Sequence, residues 1–376
     1  MKNLTLPVIK NNFDCCAPAQ SSQPVYPGIH QPFVAGSLQT TTGILPQVSA
    51  TLMRADRWGA IKARWGVGRM NYSIESGLYA LNNPDANSPV LVTANYKMSF
   101  DKLREALPGR NLWLLVLDTK GINVWCAAGK GTFGTEELIR KIENCRLKEI
   151  VNHRKIILPQ LGAPGVAAHE VKKRAGFTVH YGPIQALDLA SYLDGGYKAD
   201  TRMRTMTFPL KDRAVLIPIE LVEVIKPFFL LAVIFLVLSG IGGPGNYWSN
   251  LLHFGLFAVA ALAAAILAGA VLSPVLLPYL PGRAFSVKGF SIGIITALVL
   301  LYLRSVNFSA WPDRIEALSW LFIIPAIASF LAMNFTGAST YTSLSGVKKE
   351  MRVALPMQIF AAIGGALLWL TSRAIS

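Results

Sequence analysis

Cys126 carries the chemistry most plainly readable in this chain. It stands in Asn123-Val124-Trp125-Cys126-Ala127-Ala128-Gly129-Lys130, after the apolar run Leu112-Trp113-Leu114-Leu115-Val116-Leu117 and before a stretch of helical periodicity. The thiolate is the form of cysteine that binds metal, and a helix N-terminus favours it. Its soft sulfur suits a transition metal. Position alone leaves two readings open: a thiolate facing a metal, or a buried thiol that packs as a small hydrophobe.

The elements that must place this residue follow from patterning. Leu112 to Leu117 is short, apolar and broken by Asp118 and Gly121, as an interior strand of a parallel sheet is. From Thr132 to Ile142 the apolar Phe133, Leu138, Ile139 and Ile142 recur at helical spacing, with Glu136 and Glu137 near the helix start. The spacing predicts further strands over 89–94, 111–117, 155–159 and 176–181, and helices over 51–64, 99–107, 132–143, 165–175 and 184–193. This alternation predicts an α/β fold, a Rossmann-like parallel sheet with helices on its faces. Ligands of such sheets bind outside the carboxyl ends of the strands. Four loops are therefore expected to line one site: Thr93-Ala94-Asn95-Tyr96, the cysteine loop, Gln160-Leu161-Gly162-Ala163-Pro164-Gly165 and Tyr181-Gly182-Pro183.

Charge divides the chain in two. Residues 1–226 hold 28 Lys and Arg against 18 Asp and Glu, whereas residues 227–376 hold 8 against 3 within long apolar runs. The latter predict an all-α transmembrane domain of five helices near 224–241, 247–272, 287–303, 317–336 and 353–372, each close to the roughly 20 residues that cross a bilayer. Arg283, Lys288, Lys348, Lys349 and Arg352 fall in loops on one side. On the other side Arg304 and Arg314 are offset by Asp313 and Glu316, leaving Arg373. The positive-inside rule then places the soluble half in the cytoplasm, in a multi-pass protein of the cytoplasmic membrane with its C-terminus outside. No charge occurs between Pro227 and Gly282, and His253 is the one buried titratable group expected in this half, which suits an anchor better than a transporter. Ala258 to Ala270 holds eight alanines in thirteen positions, permitting close helix packing.

The remaining boundaries are a flexible tail over 1–47, rich in Pro, Gln, Ser and Thr, the α/β domain over 48–210, and an amphipathic connector over 211–226. The tail has no apolar signal-peptide core, in keeping with a cytoplasmic start. The scattered positive charge of the soluble half fits a face near anionic lipid, and no nucleic-acid partner is expected.

Competing motifs fail on context. Gly129-Lys130-Gly131-Thr132-Phe133-Gly134 matches the dinucleotide pattern G-x-G-x-x-G but begins well after the strand ends, and the next strand ends in Pro159-Gln160 where an acidic residue is needed. A phosphate loop would need Gly at Val124 and Ser or Thr at Gly131. The cysteines, at 15, 16, 126 and 145, form no C-x-x-C, so neither an iron–sulfur cluster nor a structural zinc site is supported. Cys15-Cys16 reads as incidental or as a soft-metal relay, and Cys145 as an ordinary thiol at a helix end.

The octapeptide around Cys126 closely resembles the cap-helix motif of the HgcA family, the membrane-bound corrinoid proteins of anaerobic mercury methylation. Ser88-Pro89-Val90-Leu91-Val92-Thr93-Ala94-Asn95-Tyr96-Lys97 extends the resemblance, and is also similar to the corrinoid-binding domain of the large subunit of the corrinoid iron–sulfur protein. The likeness covers about residues 70–376, including the five-helix tail. It implies a cobalamin-type corrinoid with its own lower base displaced and Cys126 as the lower axial ligand of cobalt. It further implies cofactor contacts from Thr93, Asn95, Tyr96, Asn123, Val124, Trp125, Ala127, Ala128, Gly129, Lys130, Thr132, Ala163, Pro164, Gly182 and Pro183. The activity implied is corrinoid-dependent methyl transfer: Co(I) takes methyl from a methylated folate or a methyltransferase, and the thiolate favours its release as a carbanion equivalent to Hg(II). This chain lacks the cysteine-rich cluster domain of the iron–sulfur relative, which implies a separate ferredoxin-like iron–sulfur protein as the Co(I) reductant. No D-x-H-x-x-G surrounds any of the five histidines, so the histidine-ligated class of corrinoid domain is not indicated. The residues themselves also admit a methyl carrier for another acceptor, or a non-catalytic membrane binding or sensor protein.

Overall fold

A computed structural model describes residues 24–335 and 344–376; the Cys15-Cys16 pair, the first part of the expected tail and the end of the expected fourth span at Thr336 lie outside them. The chain divides into two compact units, Met1–Asp56 with Tyr72–Arg204, and Arg57–Asn71 with Thr205–Ser376.

The first unit is built on a seven-stranded sheet: β1 (Val34–Thr40), β2 (Gly43–Val48), β3 (Gly77–Leu81), β4 (Val90–Ala94), β5 (Leu112–Leu117), β6 (Lys155–Leu158) and β7 (Thr178–Tyr181), in spatial order β1-β2-β3-β5-β4-β6-β7. The four strands expected from patterning, β5, β4, β6 and β7, are mutually parallel. The sheet as a whole is mixed, because β3 runs antiparallel to β5 and β1 antiparallel to β2. The expected tail is thus corrected from Val34 onward, where β1 and β2 form a hairpin and β2 pairs with β3.

Helix α1 (Arg54–Arg64) starts in the first unit and belongs from Arg57 onward to the second, and the first unit also holds helices α2 (Lys97–Glu105), α3 (Val124–Lys130), α4 (Thr135–Asn144), α5 (Leu147–Ile150), α6 (Ala168–Ala175) and α7 (Leu189–Asp194). Because side chains alternate along a strand, β5 sends Trp113, Leu115 and Leu117 into one core with Leu138, Ile139 and Ile142 of α4. Its Leu112, Leu114 and Val116 enter the opposite core with Phe100 and Leu103 of α2. Each such fully buried side chain contributes about 1.5–3 kcal/mol. Strand order reverses beside β4, which has β5 on one side and β6 on the other, the crevice position of doubly wound sheets.

A buried ion network ties α2 to the first turn of α1. Lys97 Nζ lies 2.7 Å from both Asp56 and Asp101, and Arg104 lies 2.7 Å from Asp56 and 2.9 Å from Asp101. Arg104 also donates to the backbone oxygens of Ser49 and Thr51.

Among its described residues, the second unit holds five helices long and apolar enough to cross a membrane. They occupy Leu210–Ser239, Tyr247–Val275, Phe285–Leu303, Trp311–Asn334 and the C-terminal helix Leu344–Ala374. The expected connector over 211–226 is corrected: a short turn of helix, Leu210–Ala214, leads into Ile217–Ser239, so most of it is the start of the first long helix. The small-residue stretch packs as expected, with Ala258, Ala261 and Ala265 fully buried. Glu316, expected in a loop, is instead buried within the fourth helix, accepting hydrogen bonds from Arg304 and Arg373. His253, expected as the buried titratable group of this half, is exposed, and Glu316 and Arg373 are the buried ionisable pair of the ion group.

Candidate functional site

Cys126 sits in the first turn of α3, so the expected cysteine loop is a short helix. Asn123 is its N-cap: the backbone is extended there, and Oδ1 accepts from Cys126 N–H at 2.9 Å. Gly131 ends the helix at φ 80°, a conformation that glycine adopts without a Cβ penalty. Two of the three glycines of the G-x-G-x-x-G string are thereby accounted for, since Gly131 closes α3 and Gly134 opens α4.

The two faces of α3 differ sharply. Ala127 and Ala128 are buried in the core, while Cys126, Gly129 and Lys130 are exposed and share the outer face. The buried-thiol reading of Cys126 is thereby excluded. Behind the helix, Gly165 and Gly162 make close packing possible. A Cβ on Gly165 would stand 2.0 Å from the Phe133 carbonyl oxygen and 3.2 Å from the Ala128 Cα, and one on Gly162 would stand 2.6 Å from the Phe133 ring. In front, a Cβ at Gly129 would meet nothing within 4 Å.

The turn that feeds α3 is held from the neighbouring strand end. Asn95, just past β4, accepts at Oδ1 from Thr119 N–H (3.0 Å), Thr119 Oγ1 (2.9 Å) and Gly121 N–H (3.0 Å). Thr119 is fully buried. Lys120 and Gly121 both have positive φ, 58° and 69°, so the chain reverses tightly here. Glu137 of α4 accepts from Asp118 N–H at 2.9 Å, tying the same turn to the next helix. Burial alone would raise the Asp118 carboxyl, but the Lys120 ammonium and backbone N–H hold it below the usual carboxylate range.

The expected loops do gather at one sheet edge, because they follow parallel strands. Their residues take different roles. Thr93, Asn95 and Tyr96 are buried, as are Gly182 and Pro183. Asn123, Val124, Trp125, Thr132 and Ala163 are half-buried, and Pro164 is exposed. Gly182 N–H donates to Leu158 O at 2.7 Å, and Tyr181 Oη to Val166 O at 2.9 Å. Cys145 is fully buried at the end of α4, where burial pushes its thiol up to about 11, in keeping with an ordinary structural thiol.

Comparison with known proteins points to the same region. Residues 68–192 match the family described as CdhD, the CO dehydrogenase/acetyl-CoA synthase delta subunit. The chain is 32% identical over 123 residues to the acetyl-CoA decarbonylase/synthase complex subunit gamma of Methanopyrus kandleri, a stretch covering 32% of this chain and 26% of that protein. The corresponding subunit of Archaeoglobus fulgidus is 30% identical over 128 residues, covering 34% and 27%, and that of Methanocaldococcus jannaschii is 32% identical over 127 residues, covering 33% and 26%. The chain thus spans about a quarter of the length of these relatives. The family match runs from before β3 into α7, and contains β4, β5, α3 and α4, the elements that position Cys126.

Four contributors escape sequence reasoning. Thr119 and Gly121 were visible only as a turn, and Glu137 only as a helix-start acid. Arg204, beyond the last soluble helix, donates to Gly182 O (3.1 Å), Tyr181 O (3.0 Å) and the Gln160 side chain, joining two of the site loops. An arginine in a loop carries no spacing that announces such a role.

Proposed function

We propose that this chain is a membrane-anchored corrinoid protein that accepts a methyl group on cobalt and delivers it to Hg(II). The observation that carries the reading is the exposed Cys126 on a capped helix whose outer face is otherwise nearly bare at Gly129. A broad flat macrocycle needs such a face, and a soft thiolate is a fitting donor to cobalt. The residues present therefore fit the group.

A bound corrinoid supplies a cobalt centre that takes up and gives away methyl. Cys126 would ligate it from below and, as an anionic donor, favour departure of methyl toward a thiophilic acceptor. Asn123 fixes the thiol by holding the first turn of α3, and Asn95 holds the turn that feeds it. Ala127, Ala128 and Gly165 seat the helix on the core, so the thiol presents at a fixed height. Lys130, on the same exposed face, is placed to meet polar groups at the ring edge. Further parts of the proposal are a ferredoxin-like iron–sulfur reductant, a methylated folate or methyltransferase as donor, and a cytoplasmic soluble half with the C-terminus outside, as the loop charges indicate.

A second reading keeps the corrinoid carrier and changes the acceptor. The gamma-subunit relatives favour it, because their likeness is confined to the region around β3 to α7. The full-length protein, reconstituted with corrinoid and methylated, tests both. Wild-type transfer and an unaltered visible spectrum in a well-folded, corrinoid-loaded Cys126→Ala protein would remove Cys126 from the mechanism: the expected result is retained corrinoid with a shifted spectrum and abolished or greatly reduced transfer, while Cys145→Ala changes neither. Cys126→His should hold cobalt but transfer less, since neutral imidazole donates less charge than thiolate. Methyl transfer to other acceptors and none to Hg(II) would move the assignment to the second reading.

A further inference from the structure

Arg57–Asn71 belongs to the compact unit of the long helices, although the chain on either side of it belongs to the other unit. Its large apolar residues point outward. Trp58 and Ile61 of α1 and Trp65 directly after it, whose N–H still donates to Ile61 O at 3.1 Å, recur at helical spacing and share one side. They are 43–58% exposed, while Ala63 on the opposite side is fully buried, and Val67 and Met70 in the turn that follows are more exposed still. Monomers in water seldom carry such a row. Charge frames it: Arg57 and Lys62 are exposed on its two flanks, Arg64 and Arg69 are half-buried, and the stretch holds no acidic residue. Lys62 Nζ stands 6.0 Å from the Trp58 ring centroid, so a cation borders the row directly. The contact with the first long helix sets the height of the segment. A Cβ on Gly66 would stand 3.0 Å from Val222 Cγ1. Val222 precedes Pro227, where the uncharged run begins, by little more than one turn, about 7 Å along the helix. That is headgroup level, where helices lying in the membrane plane bury an apolar face about 5–10 Å deep and where tryptophan concentrates.

We propose that Arg57–Asn71 lies in the surface of an anionic bilayer, with Trp58, Ile61 and Trp65 among the upper acyl chains and Arg57 and Lys62 against lipid phosphates. The inference rests on the long helices crossing that bilayer and is independent of the methyl-transfer chemistry. Because the chain re-enters the α/β unit at Tyr72, the seated segment tethers that unit to the membrane at a second place in the chain, besides Thr205. The test uses the full-length protein in nanodiscs of phosphatidylcholine, alone or with one-third phosphatidylglycerol, each doped with a phosphatidylcholine that carries a diazirine near the top of one acyl chain. Peptide mass analysis should find residues 57–71 labelled about three-fold more in the anionic nanodiscs, since each basic side chain near such a surface is attracted to it. Residues 290–298 of the third long helix, whose Phe290 and Leu298 are exposed, should be labelled equally in both. Arg57→Gln with Lys62→Gln should bring the two compositions level at 57–71, and Trp58→Ser with Trp65→Ser should lose most of the labelling there. Wild-type protein labelled at 290–298 but not at 57–71, or labelled at 57–71 equally in both compositions, would overturn the proposal without recourse to any variant. So would an amine cross-link between the Lys62 residues of two copies in the same nanodiscs, which would mean that protein covers this face. A chain unlabelled at 290–298 as well would instead remove the spanning reading on which the inference stands.

Discussion

At Asn123 one side-chain oxygen sets the first turn of the cysteine helix, and at Asn95 another sets the turn before it. Asn123→Ala should cost about 0.5–2 kcal/mol as a lost N-cap, whereas Asn123→Ser should recover most of it. Thermal unfolding of the full-length protein measures the first effect, and cobalt-spectrum recovery in the serine variant measures the second. Asn95→Ala should be worse, because it strands the N–H groups of Thr119 and Gly121; each unsatisfied buried donor costs about 1–3 kcal/mol. A wild-type unfolding midpoint in Asn95→Ala would show that this turn holds itself. The octapeptide was legible in the sequence because chemistry and spacing coincide in eight consecutive residues. Asn95 was legible only as a member of a strand-end loop. Its three acceptor contacts join residues more than twenty positions apart, and such links leave no period.

Among the elements, α3 has opposite tolerances on its two sides. Gly129→Ala should leave folding intact or raise stability by up to about 1 kcal/mol, since alanine is the better helix former and nothing stands near its Cβ. Yet it should weaken corrinoid retention, if that face meets the ring. Gly165→Ala should do the reverse in kind, forcing the 160–165 segment away from α3 and lowering the unfolding midpoint. The parallel strands β4, β5, β6 and β7 were readable as short apolar runs between turn signals. The others were not: β1 alternates only between half-buried and exposed positions, β2 contains Gly43 and Pro46, and β3 reads Gly-Leu-Tyr-Ala-Leu, which lacks β-branched residues. The network between α2 and the first turn of α1 sets an acid limit. Desolvation would raise the Asp56 carboxyl, but hydrogen bonds from Lys97, the Met53 N–H and Arg104 more than offset it and hold it below its ordinary value of 3.8. A depressed folded value means that the stabilisation is complete above that ordinary value and is lost as pH falls through the lower one. Asp56→Asn should therefore lower stability at neutral pH and flatten the loss of stability seen below pH 3.8 in unfolding curves.

For the whole molecule, two predictions concern the membrane unit. Glu316→Leu should destabilise it by about 3–5 kcal/mol, because Arg304 and Arg373 would keep their buried positions and lose the shared carboxylate. The readout is the unfolding midpoint in detergent, and an unchanged value would mean that water enters to replace the partner. Orientation is checked separately: protease added outside intact cells should spare residues 51–200 and reach a tag placed after Ser376. The five spans were legible in outline from hydropathy, but the burial of Glu316 was not, since a carboxylate near a helix end reads as solvated until its partners are known.

The hairpin of β1 and β2 has a practical consequence for any attempt to isolate the soluble part. Residues 34–48 lie outside the 68–192 stretch shared with the relatives, yet β2 pairs along β3, and Leu45 and Val48 are buried in the two cores. A chain shortened to begin at Gly68 would leave β3 as an open edge, with Leu78 and Tyr79 uncovered and unpaired backbone groups beside them. Exposed apolar edges recruit one another. Such a fragment should precipitate or form strand-mediated oligomers, and should become tractable when the preceding hairpin is restored.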